Sequence, residues 1–429
     1  MDVKFAYYRE SVTLDIPEEN LIGVLRPGEV HPAQDLRACI SENLDHPIGT
    51  KPFRELCAGK KKVCLVICDL TRPMETEKVL PVFLERLEQY APQAEITILI
   101  ALGTHRPLSG EEIDRLCGSG VQAKYRVVNH AFHDPAELVQ IPCDRADVPP
   151  VFVNRLLVES DLRLAIGAVK PHPIFGWSGG AKIVIPGVAG YETTGYSHWL
   201  SCPHRGVEVM GLVDNPVRQL YESIVVEANL IDFILNAVLT EESRISDVRC
   251  GDIIQAHRAA VKLAEASYIR DVAEPADAII VGTGKWAADL WVGSNAVYQS
   301  EFYLRKGGTI VLLGNFPEGI SPVHKEIAQY GYLPYREVRK LVEGGPLADD
   351  LSTASHLVHL GRVLDAREAE CVLLSEGIGR EEAQKVGFRY LDSPAEIMGY
   401  LKRKHGENLR VLAIPGYNST PIISSMPQP

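Results

Sequence analysis

Short, continuous apolar runs constrain the fold of this chain more than any other feature. They occupy residues 63–68, 96–102, 162–169, 276–282, 308–314, 371–377 and 409–416. Runs of Val, Ile and Leu of this length predict strands buried on both faces, as in parallel sheets. Helix-like stretches such as 77–91 and 215–235 lie between them. This alternation predicts an α/β fold with mainly parallel sheets.

The chain is long enough for more than one domain. Its 429 residues allow two or three, and the polar, proline-containing segment 271–275 separates a helix-like region from a new strand. We therefore predict an N-terminal cofactor-binding and catalytic domain of residues 1–272. A C-terminal α/β domain of residues 273–429 is expected to complete an active-site cleft between the two domains, because small-molecule sites favour such interfaces.

Composition excludes several classes of function. The net charge of −12 argues against general binding of nucleic acids or anionic membranes, which needs clustered Lys and Arg. The chain has no apolar run of 18 residues, and residues 1–17 do not resemble a signal peptide. Nine cysteines, an odd number without a C-x-x-C pair, indicate reduced thiols. We expect a cytoplasmic protein.

Residues with reactive or ligand-binding side chains follow three of the predicted strands. In open α/β sheets, ligands bind at the carboxyl ends of the strands, so one crevice could collect these side chains. Two or more histidines, an arginine, an aspartate and a lysine in one crevice would form an active site by residue type. The candidates are Asp69, Thr71, Arg72, His105, His172, Lys182 and His198.

The segment HPIFGWSGGAKIVIPG, residues 172–187, allows several interpretations. Its G-x-S-x-G pattern could mark a hydrolase nucleophile at Ser178, but that serine lies nine residues after the predicted strand rather than on a sharp strand-to-helix turn. The glycines before Lys182 do not match the phosphate-binding pattern G-x-x-x-x-G-K-[ST]. Lys182 could also form a Schiff base with a carbonyl substrate. A serine hydrolase and a lysine Schiff-base enzyme therefore stay open as alternatives.

A series of motifs in the first half of the chain resembles the lactate racemase family, the nickel-pincer nucleotide-dependent racemases and epimerases of 2-hydroxy acids. Each motif is weak alone, but their order and spacing are specific, and they cover most of the N-terminal domain. The motifs are HPIGTKPFREL, DLTRP, ALGTHRP, YRVVNHAFHD, VFVNRLL, PHPIFGWSGGAKIVIPG and YSH.

The resemblance implies a covalently bound cofactor. Lys182 would carry pyridinium-3,5-bisthiocarboxylic acid mononucleotide, the nickel-pincer nucleotide, through a thioamide bond. Nickel would be held by the ring carbon, two sulfurs and the imidazole of His198, a soft donor set that suits Ni(II). The implied partners are a small 2-hydroxy acid substrate and the enzymes that build the cofactor.

The same resemblance implies roles for the other candidates. His105 and His172 match two catalytic bases, one for each enantiomer, and Arg72 matches a clamp for the substrate carboxylate. Hydride would pass reversibly from the substrate Cα to the cofactor. Further residues are expected to bind or surround the cofactor; these are Asp69, Thr71, Ser178, Gly179, Gly180, Tyr298 and Gln299. The glycines at 176, 179 and 180 would let the backbone pass close to the bound group.

The C-terminal half departs from the family pattern. Tyr298 and Gln299 match, but Phe302 stands where lactate-specific members have a lysine that helps to bind the carboxylate. A tryptophan that closes the lactate site has no clear match, and Ser355 or His356 lies near its place. We therefore predict a substrate other than lactate. The candidates for reshaping its pocket are Lys285, Trp286, Trp291 and His356. A protein that carries or senses the nucleotide without turnover is a further alternative.

Overall fold

A computed structural model of the 429-residue chain describes residues 1–72, 74–285, 287–416 and 423–424. Trp286, one of the candidates for reshaping the substrate pocket, lies outside these residues. Within the described ranges, no helix has the length and apolar character needed to cross a bilayer.

Strands and helices alternate along most of the chain. The strands are Asp2–Tyr7, Glu10–Asp15, Leu21–Val24, Lys62–Cys68, Glu95–Ala101, Arg126–Asn129, Leu138–Ile141, Val151–Asn154, Leu162–Ala168, Pro171–His172, Gly176–Trp177, Phe233–Leu239, Ile245–Gly251, Ala276–Gly282, Leu304–Leu313, Glu370–Leu374, Arg389–Tyr390 and Val411–Ile414. The α-helices are Leu36–Asp45, Phe53–Cys57, Thr76–Tyr90, Gly110–Cys117, Val121–Lys124, Arg155–Val158, Tyr191–Trp199, Pro216–Glu227, Gln255–Tyr268, Leu290–Gly293, Asn295–Tyr298, Ser300–Tyr303, Ile327–Tyr330, Tyr335–Val342, Leu351–Arg367, Arg380–Lys385 and Glu396–His405, with 3-10 turns at Gly180–Ile183 and Gly206–Glu208.

The first large sheet has six strands, five of them parallel. Its spatial order is Ile245–Gly251, Phe233–Leu239, Leu162–Ala168, Lys62–Cys68, Glu95–Ala101 and Arg126–Asn129. The pair at residues 233–251 is antiparallel, and the other pairs are parallel. Both faces of this sheet carry buried apolar side chains, since separate core clusters lie on its two sides. This explains why its central strands have continuous apolar sequences.

The second large sheet also has six strands, and all of its pairs are parallel. Its order is Arg389–Tyr390, Glu370–Leu374, Leu304–Leu313, Ala276–Gly282, Val411–Ile414 and Leu21–Val24. Core clusters again cover both faces. The prediction of an α/β fold with mainly parallel sheets is confirmed.

Residues 2–24 pack with the second sheet. The predicted domain of residues 1–272 instead grouped them with the strands of the first sheet. The edge strand Leu21–Val24 pairs with Val411–Ile414. The hairpin of residues 2–15 packs its apolar side, including Phe5, against Ile280 and Val311. Local sequence shows that these strands have an apolar face, but it does not reveal which sheet covers that face.

The helix-like stretch 215–235 contains two different elements. The helix begins at Pro216, behind the N-cap Asn215, and ends at Glu227. Asn229 then adopts a left-handed conformation (φ 47°), which terminates helices at low cost for asparagine. The remaining apolar residues begin the strand Phe233–Leu239. Short apolar runs do not distinguish a buried strand from a buried helix turn.

The long connection after Leu162–Ala168 is held in place by a buried arginine. Arg218 is 1% exposed, donates from Nε to the carbonyl of Phe175 (2.8 Å) and donates to the carbonyl of Trp177. Its Nη1 also donates to Glu222 (2.7 Å). The turn between His172 and Ser178 is thereby fixed against the helix Pro216–Glu227.

Replacing this arginine should destabilise the protein. We expect Arg218→Met to lower the free energy of unfolding by about 2–4 kcal/mol, because it leaves buried carbonyl acceptors without donors. Urea denaturation of both proteins measures the change. The matched control is Arg339→Met, which removes an exposed i,i+4 ion pair with Glu343 and should cost less than about 1 kcal/mol. Equal effects of the two substitutions would contradict the anchoring role of Arg218.

Candidate active site

Three neighbouring parallel strands bring the predicted site residues to one sheet edge. Leu162–Ala168, Lys62–Cys68 and Glu95–Ala101 are adjacent in the first sheet and run in the same direction. Asp69 and His105 follow two of them, and Lys170 follows the third. Loops after parallel neighbours meet at the carboxyl edge, where ligands bind in such sheets.

A cavity of about 130 Å³, which we call the catalytic cavity, lies between this edge and residues 291–359 of the C-terminal half. Of the predicted site residues, those that line it are Asp69, Arg72, His105, His172, Ser178, Gly179, Lys182, His198 and Tyr298. Thr71, Gly180 and Gln299 are not among its lining residues. The C-terminal half of the chain contributes residues of the helices Leu290–Gly293 and Leu351–Arg367, including Trp291, His356 and His359.

Asp69 orients His105. The carboxylate is buried, and its Oδ2 lies 2.7 Å from His105 Nδ1, while Oδ1 accepts hydrogen bonds from the hydroxyl (2.7 Å) and backbone N–H (3.2 Å) of Thr71. Burial alone raises the pKa of the Asp69 carboxyl, but His105 and Arg72 hold it below its ordinary value. An ionised Asp69 accepts a hydrogen bond from the Nδ1–H group, so the neutral ring of His105 has its free lone pair on Nε2.

His172 is held in the opposite tautomer. Its Nδ1 accepts hydrogen bonds from the backbone N–H groups of Ile174 (3.2 Å) and Phe175 (3.4 Å). The neutral ring therefore carries its proton on Nε2. Burial, together with nearby Lys182 and Arg72, holds the pKa of His172 well below its usual range, which keeps this ring neutral.

Lys182 faces the catalytic cavity without a partner. Among the residues that the structure describes, its Nζ forms no hydrogen bond or ion pair and lies 5.7 Å from the centre of the Phe175 ring. Burial and then nearby Arg72 lower the pKa of Lys182 to about 7. A substantial fraction of this amine is uncharged at neutral pH, the form that can be acylated.

His198 presents an unprotonated ring nitrogen. Its Nδ1 donates to the carbonyl of Thr194 (2.8 Å), four residues earlier in the helix Tyr191–Trp199. This leaves the lone pair on Nε2 of a ring that lines the cavity. A backbone acceptor on the second nitrogen is the usual way to orient a metal-binding histidine. The structure has no group of three or more His, Cys, Asp or Glu arranged to hold a metal among its described residues.

Ser178 has a structural role in this arrangement. Its Oγ accepts from the N–H of Lys170 (2.9 Å) and donates to the carbonyl of Ala168 (2.7 Å), which closes the turn that carries His172. His257 contacts the backbone oxygen of Ser178, not its hydroxyl. Within the described chain the hydroxyl therefore lacks the histidine base that the hydrolase interpretation requires.

The glycines of this segment make room for protein atoms. A Cβ on Gly176 would lie 1.8 Å from the carbonyl oxygen of Leu212, and one on Gly179 would lie 2.8 Å from Asn236 Oδ1. A Cβ on Gly180 would lie 3.0 Å from the ring of His257, and all three glycines have positive φ. These glycines thus let the backbone pack closely against other parts of the protein, whereas the sequence suggested close packing against a bound group.

The candidates from the C-terminal half separate into two groups. Tyr298 lines the cavity, and its hydroxyl lies 2.9 Å from Ser294 Oγ. Gln299 is buried and donates to the carbonyl of Ala296 (3.1 Å). Phe302, which replaces the family lysine, is packed in the core cluster on one face of the second sheet. Lys285 is exposed and lines a different cavity.

Trp291 is enclosed in an aromatic stack. His324 and His356 cover its two faces, each with ring centres 3.9 Å apart. His356 was a candidate from sequence, whereas His324 and His359 were not. His359 shares the helix Leu351–Arg367 with His356 at a spacing of three, a helical periodicity that could have indicated both.

Lys170 is the other residue that sequence reasoning missed. It is buried, and burial followed by nearby Arg72 lowers its pKa to about 7. In the motif KPHP, the sequence analysis selected His172 and passed over Lys170. A local sequence pattern does not indicate whether a lysine close to a strand end is buried.

The fold and the site define an α/β protein with two mainly parallel six-stranded sheets and a cation-rich cavity at the carboxyl edge of the first sheet. A family model described as the lactate racemase N-terminal domain matches residues 7–209. The lactate racemase of Lactiplantibacillus plantarum is 28% identical over 331 residues, which cover 74% of this chain and 75% of that protein. The lactate racemase of Thermoanaerobacterium thermosaccharolyticum is 26% identical over 329 residues, with the same coverage of the two chains.

Solved structures show the same fold. The lactate racemase apoprotein from Thermoanaerobacterium thermosaccharolyticum superposes with a TM-score of 0.87 at 22% identity, covering 99% of this chain and 100% of that one. A protein from Thermotoga maritima gives a TM-score of 0.74 at 24% identity, covering 92% and 100%. Residues 7–209 are thus similar to the lactate racemase family, as the motifs predict, and the chain shares the fold of a lactate racemase apoprotein.

The lowered pKa of Lys182 can be measured directly in the apoprotein. We expect the rate at which an acylating ester modifies Lys182 to reach half its maximum near pH 7, because the amine is cationic below its pKa of about 7 and nucleophilic above it. A lysine in water would reach half its maximal rate at about pH 10.4. Peptide mass mapping in the Lys170→Ala variant isolates the signal of Lys182. A midpoint near that of a lysine in water would contradict the lowered pKa.

Proposed function

We propose that this protein racemises or epimerises a 2-hydroxy acid other than lactate by reversible hydride transfer between the substrate Cα and a nickel-pincer nucleotide attached to Lys182. The observation that carries the proposal is the pairing of an unpartnered, partly deprotonated lysine with a histidine whose Nε2 is free, in one cavity. Lys182 fits the attachment point, and His198 fits a single protein ligand to nickel.

The charge of the catalytic cavity supports an anionic cofactor and an anionic substrate. Asp69 is the one carboxylate among its described lining residues, and it is paired with His105. Arg72 and Lys182 form no ion pairs within the described chain, so the cavity has uncompensated positive charge. Buried charges are normally paired. A bound carboxylate and the nucleotide would supply the missing anions.

Arg72 fits the carboxylate clamp. Its Nη1 donates to Thr71 through the hydroxyl (2.9 Å) and the carbonyl oxygen (3.3 Å), which orients the guanidinium. The rest of this planar group stays available to a substrate carboxylate, which it can bind in a bidentate manner.

The two histidines support proton transfer at the substrate hydroxyl. His105 offers a lone pair at Nε2 and can take the hydroxyl proton, while Asp69 stabilises the charged ring that results. His172 offers an Nε2–H that can donate to the substrate oxygen. The resting protein thus holds one ring ready to accept a proton and the other ready to donate a hydrogen bond.

The C-terminal wall of the cavity supports a substrate other than lactate. The position of the family lysine is taken by Phe302, which contributes no cation and packs in the core. Trp291 and His356 form the wall instead. The loss of a cation that contacts a bound anion costs about 2–5 kcal/mol if nothing replaces it, so the preferred substrate should differ.

The first test is the intact mass and nickel content of protein produced together with cofactor-synthesis enzymes. We expect a covalent adduct with about one nickel per chain in the wild type and neither in Lys182→Ala, because the amine is the attachment point. Lys285→Ala, which removes an exposed lysine, is the matched control and should keep both. An adduct that persists in Lys182→Ala would contradict the attachment, and adduct with nickel but no turnover of any 2-hydroxy acid would favour a carrier or sensor.

Asp69→Asn should separate catalysis from cofactor loading. We expect kcat to fall about 10²–10⁴-fold with the adduct retained, because asparagine stabilises neither the charged ring of His105 nor the tautomer with a free Nε2. Chiral chromatography of the product and intact mass give the two readouts. Asp144→Asn, at an exposed carboxylate outside the cavity, should leave both unchanged. An unchanged kcat in Asp69→Asn would remove Asp69 from the mechanism.

A further inference from the structure

A second chamber opens beside the catalytic cavity and shares part of its wall. This distal chamber, of about 170 Å³, lies between the domains and has Asp69, Thr104, His105, Trp291 and Val292 in common with the catalytic cavity. Its other charged and hydroxyl-bearing lining residues are Tyr8, Arg9, Thr71, Arg106, Glu112, Arg115, Asp289, Glu318 and Ser321. A small acid such as lactate, bound at Arg72 and His105, would leave this space to water.

Asp289 directs an unused acceptor into the distal chamber. The residue is 9% exposed, and its Oδ1 accepts from the backbone N–H of Val292 (2.8 Å) as the N-cap of the helix Leu290–Gly293. Its Oδ2 has no hydrogen-bond partner within the described chain. Burial raises the pKa of Asp289 to about 6, so the group is a carboxylate at neutral pH. Oδ2 is not among the side-chain atoms shielded from solvent, so it is open to the chamber, where a ligand hydroxyl can donate to it.

The charges of the chamber oppose a second carboxylate on the substrate. Arg106 is already bound by Glu112 through two hydrogen bonds (2.8 and 2.9 Å) and lies 3.5 Å from Glu318 across the domain interface. A substrate carboxylate here would meet Asp289 and Glu318, and like charges in a partly desolvated space repel.

The aromatic rings of the chamber do not favour an aryl side chain. Both faces of Trp291 are covered by His324 and His356, and Arg9 lies over the ring of Tyr8 at 5.2 Å. An alkyl or aryl group would also cover Asp289 without donating to it, which leaves a buried charged acceptor unsatisfied.

We propose that the substrate is a 2-hydroxy acid whose chain continues with hydroxylated carbons, an aldonic acid, and that Asp289 binds those hydroxyls in the distal chamber. Hydroxyl groups donate to the carboxylates and accept from the arginines and Thr104, so an uncharged polyol satisfies the lining as it stands. The inference rests on the proposed function, because the reacting end of the substrate is placed at Arg72 and His105.

The test compares kcat/KM of the cofactor-loaded protein for straight-chain aldonic acids, lactate, malate and 3-phenyllactate. We expect the best aldonic acid to exceed the other three by at least about tenfold, and Asp289→Asn to lower the ratio of its kcat/KM to that of lactate by about tenfold or more. In this variant the side-chain oxygen keeps the helix cap, while an N–H₂ donor replaces the acceptor. Asp144→Asn is the matched control and should keep the wild-type ratio. A preference for lactate, malate or 3-phenyllactate, or an unchanged ratio in Asp289→Asn, would overturn the inference and leave the proposed function standing.

If none of these acids is turned over, their affinities for the cofactor-loaded protein are measured by calorimetry. The absence of turnover itself would contradict the proposed racemase function. Tighter binding of an aldonic acid than of lactate, weakened about tenfold in Asp289→Asn, would still support the distal site. Equal or weaker binding of the aldonic acid would overturn it.

Discussion

The parallel register of three adjacent strands is the constraint on which the site depends. Because Leu162–Ala168, Lys62–Cys68 and Glu95–Ala101 run side by side in one direction, their carboxyl ends deliver Asp69, His105 and the His172 loop to the same edge. An antiparallel neighbour would send one of these loops to the opposite end of the sheet. The continuous apolar sequences bury both faces of the strands and keep the polar residues at the edge.

Cations without ion-pair partners give this edge its chemical character. Folding places Arg72, Lys170 and Lys182 near one another, and Asp69, the one carboxylate among the described residues that line the catalytic cavity, is already paired with His105. Such an arrangement costs free energy in the protein alone, because buried charge is normally paired. The lysines respond with a lowered pKa, and anionic ligands would relieve the remaining charge.

Much of the fold and of the site composition follows from the sequence. Each of the seven apolar runs forms a strand, and Asp69, Arg72, His105, His172, Lys182 and His198 meet in one cavity. The placement of Phe302, Gln299 and residues 2–24 did not follow. Phe302 lies on the short helix Ser300–Tyr303 and Gln299 caps that helix, so the direction of each side chain depends on packing. The pairing of Leu21–Val24 joins residues almost 400 positions apart. The domain division at residue 272 stays a prediction.

The sequence by itself determined which residue types stand at the strand ends, because apolar periodicity and turn residues are local properties. It also determined the similarity to the lactate racemase family, through the order and spacing of the motifs. Only the tertiary structure decided the tautomers of His105, His172 and His198, since a ring proton follows whichever acceptor or donor the fold brings to the other nitrogen. The distal chamber with Asp289 likewise exists only in the folded chain, where carboxylates and arginines from distant parts of the sequence come together.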